Sequence, residues 1–290
     1  MVKTATQTGL ATGAALTAGY LGFSLYLAAK SSKPRRERTS LDPRTYGFEF
    51  SPVKVRSRDG LELSGWWVPG GRERKAALLV HGLHASKSSP YVMPALPVYA
   101  GLGYSVLLID LRAHGESPGE RATLGVTETR DVLGGLDWLA QRGFPREAVV
   151  LHGWSMGAAT VLMVAAEETV GAVVADSGYA NLSYLLRQRA GALLYPGVFA
   201  ASRLVLKAFP TKVVPERAAE KLREYGLPLF LLHGTADKTV PFDHLQRLLK
   251  RYPEAAYWEI DGYPHVSAWR HPEYGARLRW FLSGLGGWAR

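Results

Sequence analysis

Cysteine is absent from the 290 residues. That removes disulfides, thiolate metal sites and a cysteine nucleophile, while leaving the compartment open. Acidic side chains are outnumbered, 25 against 35 basic ones, for a net charge of +10. The excess is uneven: residues 1–40 hold six bases and the single acid Glu37, and the rest is spread thinly. Zinc-finger spacing, an RNA-binding aromatic signature and an Arg-rich helix are all missing, which argues against a nucleic-acid partner. Internal repeats and low-complexity tracts are missing too, which leaves a globular chain whose 47% hydrophobic content is enough for a full core.

Residues 8–29 carry no charge. As a helix, about 22 residues span the ~30 Å hydrocarbon core of a bilayer, so the stretch reads as an N-terminal membrane anchor. A cleaved signal peptide is the competing reading, weakened by the bulky Leu27 where a cleavage site wants a small residue. The basic cluster from Lys30 to Arg38 resists translocation and, by the positive-inside rule, places the following domain in the cytoplasm. The cluster itself reads as a flank touching anionic headgroups. Gly9 and Gly13 form a G-x-x-x-G that is either a helix-pairing face or a coincidence of composition.

Two units follow: an anchor and basic connector over 1–40, and a catalytic domain over 41–290. In the second, short β-rich runs alternate with helical patterns, the grammar of an α/β fold. Residues 53–68 read as a hairpin turning at Asp59-Gly60. Strands are expected over 76–80, 105–109, 148–151, 170–175, 227–232 and 256–260, and helices over 126–140, 156–168, 244–251 and 274–282. Continuous apolar runs such as LPLFLL suit parallel strands buried on both faces. Residues 178–225 are too long for a simple crossover and read as a helical cap, with an ordinary pair of surface helices as the alternative.

The stretch LHGWSMGAAT puts Ser155 between Gly153 and Gly157, after an apolar strand and before a helix. A G-x-S-x-G arises by chance in roughly one such chain in five, so its strand–turn–helix setting is what marks Ser155 as a nucleophile on a sharp elbow. A serine alcohol needs a base, and the base needs an orienting group. His81, His114, His152 and His233 sit in His-Gly steps that favour local packing, and His244 lies in a helical pattern. His265, in the loop after the last strand, is the candidate base, with His271 in reserve. Asp237, in HGTADKTVP, is the candidate acid, with Asp176 and Asp261 as rivals. The backbone N–H groups of Met156 and Leu83 are the expected oxyanion donors.

Five blocks in order, HGLHAS, DLRAHGES, GWSMGAAT, HGTADKTVP and GYPHVSAW, make residues 45–290 resemble the α/β-hydrolase superfamily. Within it the chain is similar to small membrane-anchored bacterial hydrolases near the prolyl-oligopeptidase-like and monoacylglycerol-lipase-like branches. The resemblance implies a mostly parallel eight-stranded sheet with helices on both faces, a Ser155–His265–Asp237 triad, and neither metal nor organic cofactor. In that family Asp110, Arg112 and His114 belong to a supporting turn. The expected activity is hydrolysis of carboxylic esters, among them acyl lipids such as monoacylglycerol or lysophospholipid. A thioesterase or serine peptidase on the same triad is the alternative, and a non-catalytic membrane-tethered binding protein is the alternative of another class.

Overall fold

A computed structural model of the chain describes residues 2–37, 41–206 and 210–285. Eight strands form one sheet in the order β1-β2-β4-β3-β5-β6-β7-β8. They are β1 (Ser51–Arg56), β2 (Glu62–Val68), β3 (Ala76–Val80), β4 (Ser105–Ile109), β5 (Val149–Trp154), β6 (Ala172–Asp176), β7 (Leu229–Gly234) and β8 (Ala256–Ile260). β2 runs antiparallel to β1 and β4, and every later pairing is parallel. This is the expected α/β-hydrolase fold.

Side chains alternate across each strand, and the alternation sorts the core into two layers. Leu78, Val80, Leu151, Val173 and Leu231 face one side. There they meet α3 (Glu128–Ala140), α4 (Met156–Ala165), α6 (Pro215–Glu224) and α7 (Asp243–Arg251). Leu79, Leu108, Val150, Val174 and Phe230 face the other, against α2 (Leu96–Gly101) and α8 (Tyr274–Gly284). Both faces are therefore covered, which is why the central strands read as unbroken apolar runs.

The region expected to be a cap divides in two. Ala218, Ala219 and Leu222 of α6 belong to the main core, so α6 is a sheet-flanking helix. α5 (Leu182–Leu206) is broken at Gly191, whose φ of 72° and ψ of 165° lie outside the helical region. Leu182 and Leu185 of α5 form a satellite cluster with Tyr179, Val213 and Val240.

The N-terminal segment is helical and packs on the protein. Residues 8–29 lie within one helix, α1 (Val2–Ser32), yet among the described residues no single helix is long and apolar enough to cross a membrane, so the expected anchor finds no support. α1 packs along α5. Tyr20 joins the two: its Oη donates to the Leu193 carbonyl at 3.0 Å and accepts from the Gly197 N–H at 2.8 Å. Glycine is required at 197 because a Cβ there would press on the Tyr20 ring at 2.6 Å. The Gly9–Gly13 face falls outside the residues whose side chains are described.

The connector is docked on protein. The Arg36 guanidinium donates to the carbonyls of Gly115, Ser117 and Gly119 at 2.8, 2.7 and 3.1 Å. Glu37 accepts from the hydroxyls of Ser86 and Ser89. The Arg35 N–H donates to His84 Nδ1 at 3.1 Å. These contacts fasten the connector to the loops that follow β3 and β4.

Candidate active site

Ser155 sits between the end of β5 and the start of α4 with φ 53° and ψ −115°. The serine itself carries the strained backbone of the elbow. Gly153 and Gly157 do something different from relieving torsion: they let three backbones approach one another. A Cβ on Gly153 would lie 2.6 Å from the Ala158 nitrogen, and one on Gly157 would overlap the carbonyl of Val80 at the end of β3. The elbow is held by the Ser155 N–H donating to the Asp176 carbonyl at 2.8 Å and by Ala159 N–H donating to the Ser155 carbonyl at 3.1 Å.

The three side chains singled out in the sequence converge. Ser155 Oγ lies 2.8 Å from His265 Nε2, and His265 Nδ1 lies 2.6 Å from Asp237 Oδ2. With Nδ1 donating to the carboxylate, Nε2 is left to accept the serine proton. Asp237 is anchored through Oδ1, which accepts the N–H groups of Thr239 and Val240 at 2.8 and 2.9 Å. Burial alone would raise its pKa, but hydrogen bonds from His233 and His265 outweigh that and hold it well below the usual carboxylate range.

The His265 loop is seated by its neighbours. Gly234, closing β7, has no side chain where the Tyr263 and Pro264 carbonyls pass. The Val266 N–H donates to Ser177 Oγ at 3.1 Å, and Val266 has a φ of 45°.

The other candidates lie apart. His271 packs edge-on to Trp258 with ring centres 4.9 Å apart. Asp261 accepts from the Thr235 hydroxyl on the surface. Asp176 is buried behind the elbow, and burial lifts its pKa to about 6, opposed by a hydrogen bond from Ser177. His81 accepts the Leu111 N–H at 3.0 Å, and His152 stacks on Trp154 at 3.8 Å. His114 lies 2.7 Å from the Arg112 carbonyl through Nδ1. His244 accepts the Ala180 N–H.

Sequence reasoning missed His233, whose Nε2 lies 3.3 Å from Asp237 Oδ2 and 2.9 Å from the Val240 carbonyl. Its position four residues before Asp237, across a tight turn, was the available signal. The role of Asp110 was equally hidden: its Oδ1 accepts the Lys87 N–H at 2.7 Å and its Oδ2 meets Lys87 Nζ at 2.6 Å. That pair pins the loop carrying Leu83 from below, while Glu37 and Arg35 hold it from the connector.

Leu83 and Met156 line the same cavity as Ser155. A Cβ on Gly82 would touch the Ser155 Cβ at 3.1 Å, so the Leu83 N–H comes one residue beyond direct contact with the nucleophile. Met156 opens α4, where first-turn N–H groups lack intrahelical partners and favour developing negative charge. The cavity holds about 450 Å³ and is walled by Leu182, Leu185, Leu186 and Val198 of α5, with Leu27 of α1 completing it. Among the described residues no group of three or more His, Asp or Glu is placed to hold a metal ion.

Several known proteins are similar to this chain. The Pyrococcus furiosus esterase Pf2001 superposes with a TM-score of 0.72 at 26% identity, over 87% of this chain and 98% of that one. The uncharacterized protein Rv2307c of Mycobacterium tuberculosis is 29% identical over 217 residues, 73% of this chain and 71% of its own. The rat lysophosphatidylserine lipase ABHD12 is 24% identical over 221 residues, 71% of this chain and 55% of its own. Residues 26–274 match the X-Pro dipeptidyl-peptidase (S15) family. With most of its length matched and its serine, histidine and aspartate in register at the sheet's carboxyl edge, the chain belongs to that family and is an α/β-hydrolase serine hydrolase.

Proposed function

We propose that the protein hydrolyses carboxylic esters of acyl lipids through an acyl-enzyme. The observation that carries this reading is the cavity at Ser155: an apolar chamber, walled by α5 and Leu27, with no Asp or Glu among its described lining residues. A dipeptidyl-peptidase must receive a substrate ammonium, for which a carboxylate is the natural partner. The acids of the 178–225 region, Glu216, Glu220 and Glu224, all lie on α6 and none of them lines the cavity. Glu216 pairs with Arg247 at 2.9 Å, and Glu220 faces Arg251 at 3.6 Å. Family membership favours the peptidase as second reading, and the lining chemistry favours the ester.

In the reaction, His265 Nε2 takes the Ser155 proton as Oγ bonds to the ester carbonyl carbon. The N–H groups of Leu83 and Met156 receive the oxyanion, each worth roughly 3 to 4 kcal/mol in the transition state. The carbon–oxygen bond to the alcohol then breaks, and His265 returns the proton to the leaving oxygen. Water repeats the sequence and frees the acid. Exposed Leu16, Leu21, Phe23 and Tyr26 on α1, with Leu193 and Leu204 on α5, support lipid delivery across an apolar face beside the cavity. A lipase among the relatives supports the same substrate class.

The test is turnover on a neutral chromogenic ester, with Ser155→Ala expected to lose on the order of a thousandfold or more. A fluorophosphonate probe should modify Ser155 in the parent protein. Full activity in the variant refutes the assignment, an unreactive serine marks a non-catalytic protein, and faster turnover of peptides or thioesters moves the reading to those substrates.

A further inference from the structure

The cavity has a charged mouth that ester hydrolysis itself does not use. Arg189, on the first half of α5, and His84, in the loop after β3, line the same chamber as Ser155 from opposite elements. Both are exposed at its opening. No carboxylate among the described residues pairs with Arg189, in contrast to Arg112, which is locked to Asp59 and Asp131 at 2.7 Å each. A bare guanidinium at the edge of an otherwise apolar chamber is oriented toward whatever enters.

His84 is tuned for the same visitor. Its φ of 63° is a strained value for a residue with a side chain, and its Nδ1 is occupied by the Arg35 N–H at 3.1 Å. The hydrogen of the neutral ring therefore sits on Nε2, which makes that nitrogen a donor. Burial first, and then the positive charges of Arg35 and Arg189, push its pKa down, so it stays neutral and adds a donor without adding repulsion. One guanidinium and one imidazole N–H thus frame an opening without a described acid in its lining.

Resting on the ester-hydrolase reading, we infer that Arg189 and His84 form a receiving site for an anion on the substrate, selecting acyl esters whose head group carries a phosphate or carboxylate. The acyl chain fills the Leu182–Leu185–Val198 wall, the ester lies at Ser155, and the charged head remains at the mouth. A guanidinium forms paired hydrogen bonds with either anion, which makes Arg189 the specificity-determining residue.

The experiment compares kcat/KM for three esters of one acyl chain: 1-dodecanoylglycerol 3-phosphate, neutral 1-dodecanoylglycerol, and cationic dodecanoylcholine. Monododecanoyl tartrate, as a carboxylate, separates the two anion types. The parent protein should favour the anionic esters over the neutral one about tenfold, equal to 1.4 kcal/mol, and should disfavour the choline ester. Arg189→Ala should bring the anionic-to-neutral ratio near one, Arg189→Glu should invert it, and Arg189→Lys should keep part of it. The preference should shrink as salt rises. A ratio near one in the parent protein, or one that Arg189→Glu leaves unchanged, overturns the inference while leaving the hydrolase reading intact. Failure to turn over any of the esters, with Ser155 unlabelled by fluorophosphonate, instead sinks the hydrolase reading.

Discussion

Replacing Asp237 by Asn tests the site through a single atom. Asp237 Oδ1 accepts two backbone N–H groups, from Thr239 and Val240, and an amide nitrogen cannot take over that role. The asparagine must therefore keep its oxygen there and turn its NH2 toward His265 Nδ1, 2.6 Å from the atom it replaces. Two donors cannot face each other at that distance, so the imidazole has to move its hydrogen to Nε2. That nitrogen lies 2.8 Å from Ser155 Oγ, and once protonated it has no lone pair for the serine proton. Shape and packing hardly change, so the loss falls on kcat and not on folding. The expected fall is about 10⁴-fold, or ~5 kcal/mol of barrier, the scale of a triad held in the wrong tautomer. The assay is kcat and KM on a neutral p-nitrophenyl ester at pH 7.5, alongside a thermal melt. A folded variant retaining more than about a hundredth of parent turnover would refute the argument that Asp237 acts by fixing the tautomer of His265.

Two further perturbations probe the frame. Gly157→Ala drives a Cβ into the Val80 carbonyl, a backbone atom that cannot step aside, and should destabilise the protein by several kcal/mol; a melting temperature within a degree or two of the parent would contradict the close-approach role. Asp176 has a folded pKa raised to about 6 from an ordinary value near 3.8, so the folded state keeps a proton that the unfolded chain has already released between about pH 4 and 6. Stability attributable to this group falls as pH rises through that window and stays lower above it. Asp176→Asn should thus gain on the parent between pH 4 and pH 7.5 by about 3 kcal/mol, read from denaturant melts at the two pH values; an equal difference at both would show that the carboxyl is not strained by burial.

The frame was legible where apolar text was continuous. Strands 76–80 and 105–109 coincide with β3 and β4 because strands buried on both faces need uninterrupted apolar side chains, and 256–260 coincides with β8, an edge strand in which buried Trp258 and Ile260 alternate with exposed residues. β5 runs on to Trp154, past the His152-Gly153 step that looks like loop, because His152 is buried by stacking on Trp154. α2 escaped notice: six residues containing Pro97 and ending in glycine leave too little periodicity to read. The triad was visible since its residues stand in turn motifs with fixed chemistry. The walls of the cavity were not, because they depend on α5 and α1 meeting at Tyr20 and Gly197, a contact between residues 177 positions apart that no local pattern encodes. For the segment 8–29, lack of charge fits a lipid neighbour and a protein neighbour equally well, so the sequence did not show that it packs along α5. Arg189 carried no motif, and only its position at the cavity mouth gives it meaning.

Leu27 brings α1 into the wall of the chamber that holds Ser155. A recombinant form trimmed to begin at the first strand would be an incomplete vessel, open on one flank. Its choice among substrates would then describe the trimmed form and not the protein that retains α1.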